Sequence, residues 1–481
     1  MTEKILLINP SYNSRDIVYF PLGLGYVAGA CNREGIDVEF IDMNISNSNM
    51  QQVMSVIQEK DIHVVGIGGF LTQLKSTLEL SNAIKEKYKD INVIIGGVQV
   101  FGCEQFIMDN SKADILCIGE SEIILPQLVH ALHKDKNFTE IPSIICRKDG
   151  KFVKKEGFSL IMDIDEAGFP LYDIFPMEDY IKNNYHSTSG RRTVDFICSR
   201  GCPYNCRYCI NSKKPVRIRY RSPENILKEI RLLKDRYAVN DFSFGDEIFT
   251  INSKKSLEIC EALKEENITW VTSVRADGLN DEIIKAMKDS GCRMLLIGFE
   301  SGSEKILKSM DKKANISTYS NAIRLLKKHE MMFYSNFMIG MPEENNETIR
   351  ETENFCRDNG LIFGGSYVTP FPGTKLYDDV QHKIRDEREY LLSLGKMNFS
   401  KEPIINLTEM PTKKLVSLRN RTVINTTSYL IKKKLNYVPI SIIRAVGWCY
   451  MFLFNINNPI ISKMVRPITK VIYKAFSARK N

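Results

Sequence analysis

Acidic residues are missing from the last part of this 481-residue chain. After Glu409 there is no Asp or Glu, whereas residues 410–481 carry fourteen Lys and Arg. The net charge of +8 therefore combines a weakly acidic body with a basic tail. Such an asymmetry predicts an anionic partner for the tail.

Other patterns are also missing. No signal-peptide pattern opens the chain, because MTEKILLINP leads directly into a predicted strand, so we expect a cytoplasmic protein. No internal repeat or low-complexity tract is evident. The twelve cysteines, mostly inside apolar runs, suit a reducing compartment better than a disulfide framework. The length predicts two or three domains.

Four cysteines lie in the run CSRGCPYNCRYC (198–209), and three of them form a closely spaced triad. Cys202, Cys206 and Cys209 have the spacing Cys-x-x-x-Cys-x-x-Cys, which suits three irons of one 4Fe-4S cluster and leaves the fourth iron free. A structural zinc site is the alternative. It usually has four ligands, whereas no histidine and no second Cys-x-x-Cys pair lies nearby. Cys198 does not fit the triad.

This run resembles the signature of the radical S-adenosylmethionine superfamily, with the aromatic Tyr208 before its last cysteine. The resemblance implies that the three thiolates hold the cluster and that S-adenosylmethionine binds the free iron. Reductive cleavage of S-adenosylmethionine would then give a 5′-deoxyadenosyl radical, which removes a hydrogen from an unactivated C–H bond. It also implies an electron donor such as flavodoxin or ferredoxin.

Apolar strand patterns alternate with helix patterns through residues 1–140. The strands are predicted at 4–9, 38–42, 63–69, 92–97 and 114–120. This alternation predicts a doubly wound parallel sheet of the Rossmann-like or flavodoxin-like type. Glycines cluster where strands end, which is where ligands bind in such sheets.

The first domain is similar to the cobalamin-binding domain fused to many radical enzymes. The similarity lies in Asn9-Pro10, in PLGLGY (21–26), in Gly96-Gly97 and in Gly-Glu-Ser-Glu (119–122). It implies cobalamin contacts from Asn9, Leu22, Gly23, Gly68, Gly69, Gly96, Gly97, Gly119 and Glu120. The alternative is a flavodoxin-like domain without a corrin, since glycines also serve tight turns.

One histidine matches a cobalt-ligand pattern in the wrong place. Residues 61–66, DIHVVG, fit the Asp-x-His-x-x-Gly pattern that supplies an imidazole to cobalt in other cobalamin proteins. There the histidine follows the first strand, whereas His63 begins the third predicted strand. The loop after strand one has no histidine, so we expect a bound corrin to lack a protein imidazole.

A connector with a hairpin around Asp149-Gly150 is predicted over 141–190, and a second α/β domain over 191–400. Six strand–helix units predict a partial TIM-type (β/α)6 barrel with its site at the carboxyl ends of the strands. The strands are predicted at 193–201, 241–249, 269–276, 293–301, 333–340 and 364–371. The cysteine run follows the first of them.

Polar residues follow the later barrel strands. The family resemblance implies S-adenosylmethionine contacts from Tyr208, Asp246, Glu247, Ser273, Arg275, Glu300, Ser301, Gly340 and Glu343. The fifth strand follows the family pattern Gly-x-Ile-x-Gly-x-x-Glu, with Asn336 and Met338 in place of its first two fixed residues. Alternatively, residues 246–247 could form a solvated turn, and Glu300 could cap a helix.

The reaction that follows the radical has more than one outcome among relatives of this architecture. The first hypothesis is cobalamin-dependent methylation of an unactivated carbon. The second is oxidative cyclisation or C–C bond formation without methyl transfer. A third is a non-enzymatic protein that carries a cluster or a corrin. Methylthio transfer to RNA is disfavoured, because neither of the accompanying domains of such enzymes is evident.

Residues 401–481 are predicted to be helical and basic. The apolar run at 438–454 is interrupted by Pro439 and Arg444, which argues against a membrane-spanning helix. Basic segments with aromatic residues suit the surface of an anionic membrane, here the inner face, with residues 411–481 as the contact and a small-molecule or lipid substrate. The alternative is a helical cap packed on the barrel. Nucleic acid is not an expected partner.

Overall fold

The computed structural model describes residues 3–12, 18–45, 48–134, 136–148, 151–184, 187, 190–215, 217–396, 401–434, 439–441 and 444. Internal contacts divide the chain into two compact units. Unit 1 comprises Met1–Thr272, Asp289–Gly291 and Pro370–Met397. Unit 2 comprises Ser273–Lys288, Cys292–Thr369 and Asn398–Asn481.

The N-terminal part of unit 1 is an α/β sheet. Its elements are β1 Lys4–Asn9, α1 Leu22–Arg33, β2 Asp37–Asp42, α2 Met50–Glu59, β3 Val64–Gly68, α3 Leu74–Lys87, β4 Asn92–Gly96, α4 Glu104–Asn110, β5 Ile115–Cys117, α5 Ile124–His133, β6 Ile144–Lys148 and β7 Lys151–Lys154. The strand order is β2-β1-β3-β4-β5-β6-β7. The first five strands are parallel, so the predicted doubly wound sheet is confirmed.

The sequence explains these elements. Residues 5–8 of β1 are an unbroken apolar run and are all buried, as a strand covered on both faces requires. α1 ends before Gly35, whose φ of +78° favours glycine. The hairpin predicted near residue 149 is formed by β6 and β7, and β6 pairs antiparallel with β5 at the sheet edge. Asp149 and Gly150 lie outside the described residues.

The following elements begin with α6 Met177–Asn183. They continue with β8 Thr193–Phe196, β9 Ser199–Arg200, β10 Arg219–Tyr220, α7 Pro223–Tyr237, β11 Asp241–Phe244, α8 Ser253–Leu263, β12 Thr269–Val274, α9 Asp281–Asp289, β13 Cys292–Glu300, α10 Glu304–Ser309, α11 Ile316–Lys328, β14 Phe333–Ile339, α12 Asn346–Asn359, β15 Ser366–Tyr367, α13 Lys375–Val380, α14 Glu387–Ser393 and α15 Thr412–Lys434. The central sheet has the order β15-β14-β13-β12-β11-β8. The predicted partial barrel of six strands is confirmed.

Several predicted strands are shorter than expected. β5 covers only Ile115–Cys117 of the predicted 114–120, and β11 covers only Asp241–Phe244 of the predicted 241–249. The first barrel strand ends at Phe196, because the chain turns there and residues 199–200 pair antiparallel with β10. The last one contains only two residues, since glycines at 364–365 precede it and prolines at 370 and 372 follow it. The cysteine loop is therefore closed at its base by a small hairpin.

The described part of the basic tail is a helix within unit 2. α15 packs against α12, where Asn425 Nδ2 donates to Glu353 Oε1 at 2.9 Å. Arg419 Nε donates to the carbonyl oxygen of Gly365 at 3.1 Å. For residues 412–434 the structure therefore shows the helical-cap alternative. Most of 438–454 and all of 465–476 lie outside the described residues.

None of the helices in the described ranges combines the length and the apolar character needed to cross a bilayer.

Candidate active site

A cavity of about 910 Å³ lies within unit 1. One side is formed by the carboxyl ends of β1, β3, β4 and β5 and by the start of α1. The other side is formed by residues of β8, by the segment after β11, and by both flanks of the cysteine loop. Strand ends of the N-terminal sheet and the neighbourhood of the cysteines therefore face the same space.

All nine residues predicted to contact cobalamin line this cavity. They are Asn9, Leu22, Gly23, Gly68, Gly69, Gly96, Gly97, Gly119 and Glu120. Asn9 is held in a buried network, in which its Nδ2 donates to Asp42 Oδ2 at 2.9 Å. Its Oδ1 accepts from Gln73 Nε2 at 2.8 Å. The network fixes the end of β1 at the cavity wall.

The glycines of the cavity serve two different purposes. At Gly97 and Gly119 the φ angles are +85° and +94°, and an added Cβ would lie 2.8 Å and 2.4 Å from backbone oxygens, so these positions require glycine. At Gly23 an added Cβ would find no atom within 4 Å, and at Gly96 none closer than 3.7 Å. Gly23 therefore borders open space, whereas a Cβ at Gly96 would be in ordinary van der Waals contact.

Glu120 and Glu122 form ion pairs with the base of the cysteine loop. Nη1 and Nη2 of Arg219 donate to the carboxylate of Glu120, at 2.8 and 2.9 Å. Arg200 Nη1 donates to Glu122 Oε1 at 2.7 Å. Arg200 and Arg219 are paired across β9 and β10, so we call these four side chains the acidic clasp. Glu120 lines the cavity, yet its carboxylate is engaged by an arginine.

The cysteine loop is held on several sides. The amide of Gly201 donates to Glu247 Oε2 at 3.1 Å. Leu376 N donates to the carbonyl oxygen of Arg207 at 2.8 Å, and Arg207 Nε donates to Asp379 Oδ2 at 2.6 Å. These contacts fix the loop between the end of β11 and α13.

The three predicted cluster ligands lie close enough to influence one another. Burial raises the pKa of the Cys202 thiol to about 11, and the nearby Cys209 and Cys206 add to the rise. Within the described ranges, no three His, Cys, Asp or Glu side chains are arranged to hold a single metal ion. Cys198 is fully buried.

The two acids after β11 contact the protein differently. Asp246 is buried, accepts from the amide of Cys198 at 3.1 Å and accepts from the Ser199 hydroxyl. Burial raises the pKa of Asp246 to about 6. Glu247 lines the cavity next to Gly201. Asp246 thus anchors the start of the cysteine loop, whereas Glu247 faces the cavity.

The remaining residues predicted to bind S-adenosylmethionine are Tyr208, in the cysteine loop, and six residues of unit 2. Arg275 is buried and donates to Asp277 at 3.0 Å and to the Lys312 carbonyl oxygen at 2.6 Å. Glu300 has a φ of +64° and pairs with Lys312 at 3.1 Å. Ser301 is buried and contacts the Thr352 hydroxyl at 3.1 Å. Ser273 is half-buried in β12.

The last two predicted residues follow β14. Gly340 has a φ of +105°, and its amide donates to Glu344. Glu343 accepts from the Ser309 hydroxyl. Glu344 is buried, and burial raises its pKa to about 7. The sequence drew attention to Glu343, but Glu344 is the acid that folds back onto the glycine.

Sequence reasoning also missed two charged residues that line the cavity. Asp195 is buried in β8, accepts from the amide of Phe20 at 3.2 Å, and has its pKa raised by burial to about 6. Lys214 lies after the cysteine loop, with its ammonium 5.4 Å from the ring centre of Phe101. Burial lowers the pKa of Lys214. The only signal for Asp195 was a lone acid inside an apolar strand.

His63 lies away from the cavity. It precedes β3, its side chain is largely exposed, and its Nε2 is 3.3 Å from Asp61 Oδ1. The cavity is lined by the opposite, carboxyl end of that strand. Its match to the cobalt-ligand pattern therefore has no counterpart at this cavity.

Family models match both parts of this arrangement. A model described as the Radical SAM superfamily matches residues 196–356, and one described as a B12 binding domain matches residues 13–129. The chain therefore contains a radical SAM domain and a B12-binding domain. These two domains support a 4Fe-4S cluster, S-adenosylmethionine and cobalamin as the cofactors of this enzyme.

Named relatives and a solved structure resemble this radical SAM chain. It is 27% identical to an uncharacterized methyltransferase of Pyrococcus horikoshii, over 98% of this chain and 99% of the relative. It is 26% identical to the anaerobic magnesium-protoporphyrin IX monomethyl ester cyclase of Rubrivivax gelatinosus, over 79% of this chain and 70% of the relative.

The structural likeness concerns the fold. The radical S-adenosylmethionine methyltransferase TsrM of Kitasatospora setae, solved with cobalamin and a 4Fe-4S cluster, matches with a TM-score of 0.67. The match covers 79% of this chain and 75% of TsrM, at 16% identity.

Proposed function

We propose that this enzyme methylates an unactivated carbon of a small-molecule or lipid substrate in a cobalamin-dependent radical reaction. The observation that carries the proposal is the single cavity of unit 1. Its walls combine the glycine-rich strand ends of the B12-binding domain with Gly201 and Lys214 beside the cysteine loop. A corrin and a radical source must face one substrate for such a transfer. Residues of the B12-binding domain and residues beside the cysteine loop both line this cavity.

The chain's own residues supply binding and orientation. Cys202, Cys206 and Cys209 would hold the cluster, and the cavity wall at Gly23 and Gly96, which lacks side chains, would accept the corrin. When bound, these cofactors supply the 5′-deoxyadenosyl radical and the methyl group, while the protein orients them and keeps water out. The lining of the cavity is largely apolar, which suits this exclusion of water.

Two charged groups give the cavity a means of orienting substrate. Asp195 and Lys214 line it on the barrel side, among apolar neighbours such as Phe20 and Phe101. In such surroundings a charged or hydrogen-bonded group fixes the position of a ligand, whereas apolar contacts supply affinity. We propose that the substrate carries a polar group that Asp195 or Lys214 binds.

The residues predicted for S-adenosylmethionine differ in what they can do. Glu247 faces the cavity beside Gly201, and we propose that it binds the amino group of S-adenosylmethionine. Arg275, Glu300 and Ser301 already have protein partners, so we assign them to shaping the strand ends. Gly340 would let a ligand approach the backbone at the end of β14.

A second candidate function is oxidative cyclisation without methyl transfer. The observation that favours it is the 26% identity to the Rubrivivax gelatinosus cyclase over 79% of this chain. Both reactions would use the same radical and the same cavity. They differ in what happens to the methyl group of S-adenosylmethionine.

The products of S-adenosylmethionine separate the two reactions. The anaerobic, reduced protein would be incubated with methyl-deuterated S-adenosylmethionine and a small-molecule and lipid extract as substrate source. Methyl transfer predicts 5′-deoxyadenosine and S-adenosylhomocysteine in similar amounts, with deuterated methyl groups in a product. Cyclisation predicts 5′-deoxyadenosine without S-adenosylhomocysteine and with no label in product. Absence of 5′-deoxyadenosine would contradict radical chemistry altogether.

A further inference from the structure

The seam between α12 and α15 in unit 2 changes character along its length. At one end the facing side chains match. Arg357 lies over the ring of Tyr429, with its guanidinium carbon 5.2 Å from the ring centre, and Asn425 Nδ2 donates to Glu353 at 2.9 Å. The polar side chains at this end of the seam therefore have partners within the protein.

One helical turn closer to the amino-terminal ends of the two helices, the facing side chains carry like charges. The next residue on the same face of α12 is Arg350, and the corresponding position on α15 is Arg421. With Lys414 they surround a pocket of about 460 Å³, which we call the α12–α15 pocket. None of these three cations has an ion-pair partner among the side chains that the structure describes. Like charges that face one another across a helix seam are unfavourable without a counter-charge.

The rest of the pocket suits an anion. It is completed by Asn346, Ser417 and Leu418, so amide and hydroxyl donors accompany the three cations. None of its six lining residues is acidic, although α12 carries exposed acids elsewhere on its surface. Asn346 is the first residue of a 14-residue helix, whose amino-terminal end attracts negative charge.

The walls of the pocket are firmly placed. α15 is anchored by the buried Leu415 and by Arg419, which donates to the Gly365 carbonyl oxygen at 3.1 Å. Asn345 caps α12 by accepting from the amides of Glu347 and Thr348 at 2.9 and 3.1 Å. The cationic side chains are exposed on these fixed helices.

We propose that the α12–α15 pocket binds a phosphate group through Arg350, Lys414 and Arg421, with Ser417 and Asn346 as further donors. Guanidinium groups bind phosphate oxygens with two parallel hydrogen bonds, and lysine adds a point charge. The phosphate comes either from a soluble phosphate compound or from an anionic lipid headgroup. Bound there, it neutralises the like charges of the seam.

The test compares phosphate binding by the full-length holoenzyme and a triple variant, Arg350→Gln, Lys414→Gln and Arg421→Gln, by calorimetry with inorganic phosphate. The proposal predicts at least a tenfold loss of affinity in the variant. The matched control is Lys285→Gln, Lys305→Gln and Lys308→Gln. These exposed residues of unit 2 remove the same charge outside the pocket. Equal affinity of the triple variant and the wild type, or an equal loss in the control, would overturn the proposal.

Vesicles distinguish the two sources of phosphate. Co-sedimentation is measured at low salt with vesicles that contain phosphatidylglycerol and with vesicles of phosphatidylcholine alone. If the triple variant loses both phosphate affinity and binding to the anionic vesicles, the ligand is a lipid headgroup. If only phosphate affinity is lost, the ligand is a soluble phosphate compound. Loss of vesicle binding with unchanged phosphate affinity contradicts the pocket.

Discussion

Individual side chains of the cavity owe their properties to burial. Asp195 and Asp246 are both buried in unit 1, and burial raises the pKa of each to about 6. Asp246 accepts hydrogen bonds from residues 198–199 at the start of the cysteine loop. Asp195 faces the cavity. Both acids accept hydrogen bonds from the protein, but only Asp195 also lines the cavity, where we propose that it binds substrate.

The cysteine triad gives the first prediction at this scale. Cys202→Ser removes one thiolate from the proposed cluster and should lower iron content severely, with loss of 5′-deoxyadenosine formation by at least a hundredfold. The matched control is Cys198→Ser, because Cys198 is buried and lies outside the triad. Iron analysis and product chromatography check both variants. Full iron content in Cys202→Ser would contradict the assignment.

The second prediction concerns pH. The pKa of Asp195 rises from 3.8 to about 6, so the folded state holds this proton more tightly than the unfolded state. Its contribution to the free energy of unfolding is present below about pH 4 and is lost as the pH rises through about 6, by about 3 kcal/mol. Asp195→Asn should therefore lose less stability than the wild type between pH 4 and pH 7.

Denaturant unfolding at the two pH values measures this difference. Asp235→Asn, an exposed position on α7, serves as the control and should follow the wild type. If Asp195→Asn shows the same pH dependence as the wild type, Asp195 does not titrate as its burial requires.

At the scale of elements, the acidic clasp connects the B12-binding domain with the cysteine loop. It spans the turn at 119–122, between β5 and α5, and the hairpin of β9 and β10. Arg200 also lies over the ring of Tyr26 on α1, with its guanidinium carbon 4.7 Å from the ring centre. This fixed spacing suits the proposal that the B12-binding domain and the radical SAM domain face one substrate.

The clasp gives the third prediction. Glu122→Gln removes the nearer carboxylate of Arg200 and leaves only Glu120, at 3.6 Å, in a largely buried setting, which should cost about 2 kcal/mol of unfolding free energy. Glu140→Gln breaks the exposed pair with Lys155 and should cause no measurable change. Denaturant unfolding of the anaerobic protein measures both. Equal effects of the two substitutions would mean that the clasp does not hold these elements.

Elements were predictable from the sequence where a strong pattern was present. Alternating apolar strands and helices gave both parallel sheets, because burial on two faces leaves continuous apolar runs. The end of β8 was not predictable, since residues 197–199 remain apolar or small and only the distant partner β10 reveals the turn. The partner of Glu120 was hidden for the same reason, because Arg219 lies 99 residues later.

At the scale of the whole molecule, we propose ligands for two places, the cavity of unit 1 and the α12–α15 pocket of unit 2. The cysteine spacing predicted the radical chemistry, but the shared lining of the cavity depends on folding that no local pattern encodes. The acid-free tail predicted an anionic partner. In its described part, residues 412–434, the tail is a helix packed within unit 2, where Lys414 and Arg421 of the tail and Arg350 of α12 surround a pocket.

The fourth prediction tests the central claim, that the unit 1 cavity holds cobalamin beside the cluster. Gly23 lines the cavity, and Gly23→Leu places a side chain where an added Cβ meets no protein atom within 4 Å, so we expect it to obstruct the corrin and leave the fold intact. Asn32→Leu, at an exposed position on the same helix, is the control.

Cobalt and iron content of the anaerobically purified proteins is the deciding measurement. We expect about one cobalt per four irons in the wild type and in Asn32→Leu, since one corrin accompanies one 4Fe-4S cluster. Gly23→Leu should keep its iron and lose most of its cobalt. Four irons without cobalt in the wild type, or undiminished cobalt in Gly23→Leu, would contradict the account.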